Sequence, residues 1–401
     1  MRLHRRAFLA TAGTAALAGC PGPGTDGSAD QEPGNASESG ERPASTPGET
    51  AGDADLDPGA TPGIGTRPQI ERLRESRFAP ALTTEPRYLP VDRQRLADST
   101  ASGGVERDGI PPIDRPFFVE PDRATDLLDD GDVVFGLVRE RGPRAYPRRI
   151  LVYHEVCNDV TDGRVVSVTY CPLTGTALAF EGGGTTFGVS GRLLNSNLVM
   201  YDRASETWWP QILATSIPGR WNRSPETVSL QQVPLVWTTW KRWRTLHPDT
   251  DVLWRETSYV RPYRRDRDPY GSYNPKSGYY TRDSVGFPPM FESDRYHPKR
   301  VVVGARTTDG AVAFLKDALR ENGALDGTVG GEPVGAVYDA RLDTVYVYHN
   351  PETRRIGVDG DRATLDGEVH DPDALPLDRI VAFDAMWFAW YAFYPDTNVY
   401  E

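Results

Sequence analysis

The sequence predicts a β-rich α+β protein made of two related units, each a set of short strands and hairpins closed by a tryptophan-rich helix. Three observations predict it. Short β-branched and aromatic runs, such as Val165–Tyr170, are punctuated by glycine and proline from Val133 onward. The chain repeats itself: "VVFGLVRERGPRAYPRRIL" (133–151) aligns with "VVVGARTTDGAVAFLKDAL" (301–319), and at the same offset of 168 residues "GRVVSVTYCPLTGTALAF" (163–180) falls on "GEPVGAVYDARLDTVYVY" (331–348). Further on, "WTTWKRWRTLHPDTDV" (237–252) matches "DAMWFAWYAFYPDTNV" (384–399) at an offset of 147, so the second copy is about 21 residues shorter.

The elements follow in order. Residues 1–20 read as a signal: Arg5 and Arg6 precede a short apolar run ending in Leu17-Ala18-Gly19-Cys20. That run is far shorter than the ~20 residues a spanning helix needs, so it is a targeting segment rather than structure. It resembles a twin-arginine signal joined to a lipoprotein box. The resemblance implies lipidation of Cys20, a membrane partner through that anchor, and residence on the extracellular face. Residues 21–105 are expected to be a disordered acidic tether, its latter part partly ordered, because Pro21 to about Thr66 holds almost nothing apolar to bury. Asn35-Ala-Ser37 and Asn222-Arg-Ser224 match glycosylation acceptors.

The first unit spans 106–257. A buried strand, Val133–Val138, leads through Gly142-Pro143 to a helical segment opened by Pro147. On that helix Ile150, His154 and Cys157 share one face at i, i+4, i+7. A hairpin of Val165–Tyr170 and Thr176–Phe180 follows, with Pro172 and Gly175 as turn residues. Short strands at Thr186–Ser190 and Asn197–Tyr201 precede a helix from about Leu235 to Leu246. Its Trp237, Trp240 and Trp243 form a stripe that reads as core, since a buried aromatic of this size contributes on the order of 2–3 kcal/mol. Residues 258–299, rich in arginine and tyrosine, are expected to be a solvated connector. The second, shorter unit spans 300–401. Packing of the units about a pseudo-twofold would leave a cleft between them.

Charge bounds the function. The net charge is −12, from 57 acidic against 45 basic residues, and only Lys241, Lys276, Lys299 and Lys316 are lysine. An acidic, lysine-poor surface suits a halophilic protein and excludes a nucleic-acid partner, which needs a basic face. No catalytic constellation is legible. "EGGGTTF" (181–187) is a hairpin tip, and Ser190 in "GVSGR" does not complete G-x-S-x-G.

Two sets of residues carry candidate chemistry. His154, Cys157 and Cys171, with Met200 as a fourth, are soft or borderline ligands that would suit copper or zinc. Alternatively, Cys157 and Cys171 form a disulfide in an exported protein. The counterpart of Cys171 in the repeat is Asp339, itself a favoured turn residue, so the hairpin needs a turn there and not a thiol. In "NSNLVMYDR", Asn195, Asp202 and Arg203 are polar candidates for lining a ligand cleft.

"VTYCPLTGTALAF", "FGVSGRLLNSNLVMYDR", "HPDTDVL" and "WFAWYAFYPDTNVYE" together resemble the DUF3179 family over roughly Arg107–Glu401. The resemblance implies an exported, haloarchaeal-type lipoprotein and no established activity. Family members typically read "CPLC"; here Thr174 stands in place of the second cysteine, which weakens metal and dithiol readings. The expected function is a non-catalytic binding or interaction module. The alternative is a metal-binding or redox accessory protein using His154, Cys157 and Cys171.

Overall fold

Strands form where β-branched residues run together, and their register is set by which face each side chain buries. In the computed structural model, which describes residues 79–401, Val133–Arg139 pairs antiparallel with Gly142–Pro147, placing Gly136 opposite Ala145. The sequence predicts a loop and then a helix opened by Pro147. Instead the chain runs as a strand through Pro147, and the helix is one turn, Arg148–Leu151. Glu155 adopts the left-handed conformation (φ 58°), and Val156–Thr161 then extends as a strand. His154 and Cys157 therefore share no helical face.

The first half contains a five-stranded sheet in the order Val236–Thr239, Val133–Arg139, Gly142–Pro147, Asp251–Leu253, Phe118–Val119. The second half contains a four-stranded sheet in the order Ala382–Met386, Val301–Arg306, Ala311–Leu315, Asn398–Tyr400. The first three pairings match in kind: antiparallel, antiparallel, then parallel. The hairpin sheets correspond likewise. Val156–Thr161, Arg164–Cys171, Thr176–Gly183 and Gln232–Val233 form one; Ala324–Val329, Glu332–Asp339, Thr344–His349 and Arg379–Ile380 form the other. Cys171 opposes Thr176 just as Asp339 opposes Thr344. The halves differ in one sheet each. The first carries Ala101–Ser102, Phe187–Leu194, Asn197–Asp202 and Trp208–Pro210; the second carries Ile356–Asp359, Arg362–Leu365 and Glu368–His370.

The segment expected as one helix, Leu235–Leu246, is a strand (Val236–Thr239) followed by a helix (Trp240–Leu246). β-branched Val236, Thr238 and Thr239 favour the extended part. Trp240 and Trp243 are buried core on the helix, whereas Trp237 sits half-buried on the strand. The Trp243 ring covers Gly136 so closely that a Cβ there would lie 2.1 Å from it. In the second half the ring of Trp390, on the helix Trp387–Phe393, covers Gly304, where a Cβ would lie 2.0 Å away. Each indole N–H donates to the threonine of the following Pro-Asp-Thr: Trp243 to Thr250 (2.9 Å) and Trp390 to Thr397 (3.1 Å).

One hydrophobic core runs across both halves, joining Leu178, Phe180 and Leu198 to Leu315, Met386 and Trp390. The hairpin turn docks on the second half, where the Thr174 carbonyl accepts from the Met386 amide at 3.0 Å. The connector is exposed along most of its length but anchored by its tyrosines: Tyr263 and Tyr280 are buried, and Tyr270 and Tyr273 pack against the cores of both halves. Residues 79–105 include a helix, Arg93–Asp98, capped by the Asp92 carboxylate, and the strand Ala101–Ser102. Asn222 is buried and donates to Thr207 (2.7 Å), so its glycosylation motif is closed in the folded protein. Cys20 and Asn35 lie outside the described residues. Among those described, no helix is long and apolar enough to cross a membrane.

Gly136→Ala and Gly304→Ala are each expected to destabilise the protein by about 1–3 kcal/mol through overpacking. Urea denaturation checks this; an unchanged midpoint in either variant contradicts it.

Candidate functional site

The thiols and imidazole singled out by sequence do not meet. Cys157 opposes Val168 across the hairpin sheet, and Cys171 lies three residues beyond Val168 on the same strand. Side chains alternate along a strand, so the two thiols project from opposite faces. Cys157 packs among Val166, Val168 and Tyr170, and Cys171 among Leu178, Phe180 and Met200. Both are free, and burial raises both thiols, Cys171 to about 11, with the Glu155 carboxylate adding to the effect there. Neither is an activated thiolate. Among the described residues, no three His, Cys, Asp or Glu side chains are placed to hold a metal ion.

His154 is fully buried, and both of its nitrogens are engaged. Nδ1 lies 2.6 Å from the Pro111 carbonyl, which can only accept, so Nδ1 carries the proton. Nε2 then accepts from the Tyr263 hydroxyl (2.5 Å), which in turn accepts from Thr257 (2.6 Å). Burial pulls the imidazole down to about 4, only partly offset by the Pro111 hydrogen bond. The ring is a neutral structural link between the first half and the connector.

Asn195, Asp202 and Arg203 do not line a common cleft. Asn195 holds a left-handed turn (φ 53°) and clamps the second half and the connector, donating to the Ala392 carbonyl (3.0 Å) and accepting from the Met290 amide (2.8 Å). Asp202 is buried and accepts from the Ser205 amide and hydroxyl (both 2.6 Å) and the Trp209 indole (3.0 Å). Arg203 donates to Asp114 (2.8 Å) and Thr186 (3.2 Å). All three shape turns or join elements.

A cleft of about 290 Å³ does open between the halves. Its first-half wall is Trp237, Thr238 and Thr239; the connector supplies Tyr273, Asn274 and Lys276; the second half supplies Arg300, Lys316, Asp317, Arg320, Asp343 and Asp384. Trp237 and Tyr273 meet with ring centroids 4.8 Å apart. Lys316 opens the helix Lys316–Asn322 at the end of the strand Ala311–Leu315, and Asp384 sits on the edge strand Ala382–Met386, with Val301–Arg306 between the two strands; they form a buried ion pair of 2.5 Å. Burial raises the Asp384 carboxyl despite that ammonium. Arg320 grips Asp343 through two 2.8 Å bonds and reaches Asp317 at 3.2 Å. Burial alone would raise the Asp343 carboxyl, but the Arg320 bond and the nearby Lys316 hold it below the usual range.

The cleft has more cations than acids. Lys276, Arg300, Lys316 and Arg320 face Asp317, Asp343 and Asp384. Lys276 is exposed, donates to the Lys299 carbonyl (3.2 Å) and makes no ion pair among the described residues. The Thr238 hydroxyl is buried there without a partner. Aromatic faces, a spare ammonium and an unsatisfied hydroxyl can bind and orient a small polar molecule; no nucleophile paired with a base lines the space. Sequence reasoning missed these residues because they come from three separate segments. One signal was present: two of the four lysines in an arginine-based chain, Lys276 and Lys316, line the cleft.

The family described as "Protein of unknown function (DUF3179)" matches residues 107–397. No curated protein and no solved structure matches the chain.

Because His154 is held neutral in the fold, the unfolded chain binds its proton first as pH falls. Relative to His154→Gln, which can keep both hydrogen bonds, the native protein is expected to lose stability progressively from about pH 6.5 toward pH 4. The full difference is about 3 kcal/mol. Denaturation midpoints of the two proteins across that range check this; parallel profiles contradict it.

Proposed function

We propose, from the premise that the chain belongs to the DUF3179 family, that it is a non-catalytic binding module held by a lipid on Cys20 to the outer face of the cell membrane. In this reading the ordered part is one fold unit present twice. The matched strand orders, the equivalent registers at Cys171 and Asp339, and the paired Trp–Gly contacts support it. The twin-arginine signal exports the chain already folded, and residues 21 onward space the fold from the lipid.

The observation that carries the binding reading is the cleft between the halves, with its excess cation and its unpartnered Thr238 hydroxyl. The ligand class that fits is a small carboxylate carried on a ring, a sugar acid being the simplest. The ring stacks on Trp237 and Tyr273, the carboxylate pairs with Lys276, and a ring hydroxyl meets Thr238.

Titration calorimetry with glucuronate and galacturonate is expected to give one site. Lys276→Met should weaken it tenfold or more, since a hydrogen bond to a charged group is worth about 1.5–3 kcal/mol, and Thr238→Val severalfold, since a neutral one is worth about 0.5–1.5 kcal/mol. No binding of either sugar acid contradicts the ligand class; binding unchanged in both variants contradicts the cleft. Cys20→Ser is expected to move the protein from the membrane fraction to the medium, and mass spectrometry of the native protein to find lipid on Cys20. An unlipidated native N-terminus contradicts the anchor.

A further inference from the structure

Away from the cleft, the structure buries several hydrogen-bond donors without partners. Arg306 ends the strand Val301–Arg306, and none of its surface is exposed. Its Nη2 donates to Gln232 Oε1 (3.0 Å), and its guanidinium lies 5.1 Å over the Phe383 ring. Its Nε and Nη1 are buried without hydrogen-bond partners. Arg87 Nε is in the same condition, while Arg87 Nη1 donates to the Arg306 carbonyl (3.4 Å). The hydroxyl of Tyr394, a fully buried residue, also has no partner and lies within electrostatic reach of both guanidiniums. Among the described residues, no carboxylate pairs with Arg306 or Arg87. Asp396, the acid that influences Tyr394, is exposed and accepts from Tyr88 instead.

This arrangement is expensive as it stands. Burial pulls the Arg306 guanidinium down to about 10 and lowers Arg87 as well, but a guanidinium stays protonated at neutral pH. A buried cation without a counter-charge is strongly destabilising. Guanidinium N–H groups can only donate, and the Tyr394 oxygen, an acceptor within the cluster, takes none of them. A water molecule accepts two hydrogen bonds and brings no charge, which leaves donors over and the charge uncompensated. A monatomic anion accepts from several directions and supplies the charge.

We infer that Arg306, Arg87 and Tyr394 form a buried binding site for a small inorganic anion of the halide class, chloride in solution. The site joins distant parts of the molecule. Arg87 comes from the chain ahead of the helix Arg93–Asp98, Arg306 from a second-half strand, and Tyr394 from the end of the Trp387–Phe393 helix. Gln232, which holds Arg306, belongs to the first-half hairpin sheet. Chloride bound there ties the leading segment to both halves.

The test compares the full protein in sodium chloride and in sodium gluconate at equal ionic strength. Gluconate is too large for an enclosed site. The unfolding equilibrium constant is expected to fall about tenfold for each tenfold rise in chloride above its Kd. Tyr394→Phe, which removes only the hydroxyl, should raise the half-saturating chloride concentration about tenfold. Crystals soaked in sodium bromide should show an anomalous peak beside Arg306 Nε and Nη1. Equal stability in the two salts overturns the inference, as does bromide that binds without a peak at Arg306.

Discussion

The contact on which the rest of the molecule depends is a tryptophan ring laid over a glycine in the middle of a strand. Trp243 makes it at Gly136 and Trp390 at Gly304. Only glycine admits a ring that close. The contact sets where the closing helix sits, and the indole N–H then fixes the next strand through Thr250 or Thr397. That strand returns parallel to its neighbour in the sheet of each half.

The same framework places different chemistry at corresponding positions. Trp237 opposes Phe135 in one half, and Asp384 opposes Val303 in the other. Arg148 and Lys316 each open the short helix after the second strand. Arg148 is consumed by Asp268 of the connector (2.6 Å), while Lys316 pairs with Asp384 at the cleft. One wall of the cleft is thus aromatic and the other ionic. The asymmetry comes from side chains set on strand orders that match between the halves, so the fold alone does not dictate what the cleft can bind.

Much of the fold was legible because it depends on local pattern. Alternation and turn residues marked the hairpin Arg164–Gly183, and the offset of 168 matched Gly136 to Gly304 before either was seen to contact a ring. The strand Gly142–Pro147 was hidden by its prolines, and Trp237 by a spacing of three that suits a helix as well as a short strand. His154 and Cys157 were placed on one helix because no residue-type rule marks Glu155 as left-handed. Asn195 and Asp202 drew attention as polar residues, but Asp202 serves the backbone of its own turn and Asn195 joins distant segments. The cleft and the donor cluster at Arg306 are tertiary juxtapositions, and neither has a local signature.

If the Trp–Gly contacts build two halves around one continuous core, the halves cannot open separately. Native-state hydrogen exchange at rising denaturant tests this most directly. The account predicts that amides of Val134 and Val168 converge on the same opening free energy as those of Val303 and Val347, all four buried strand residues. Two separate limits, with one half opening while the other stays protected, would contradict it.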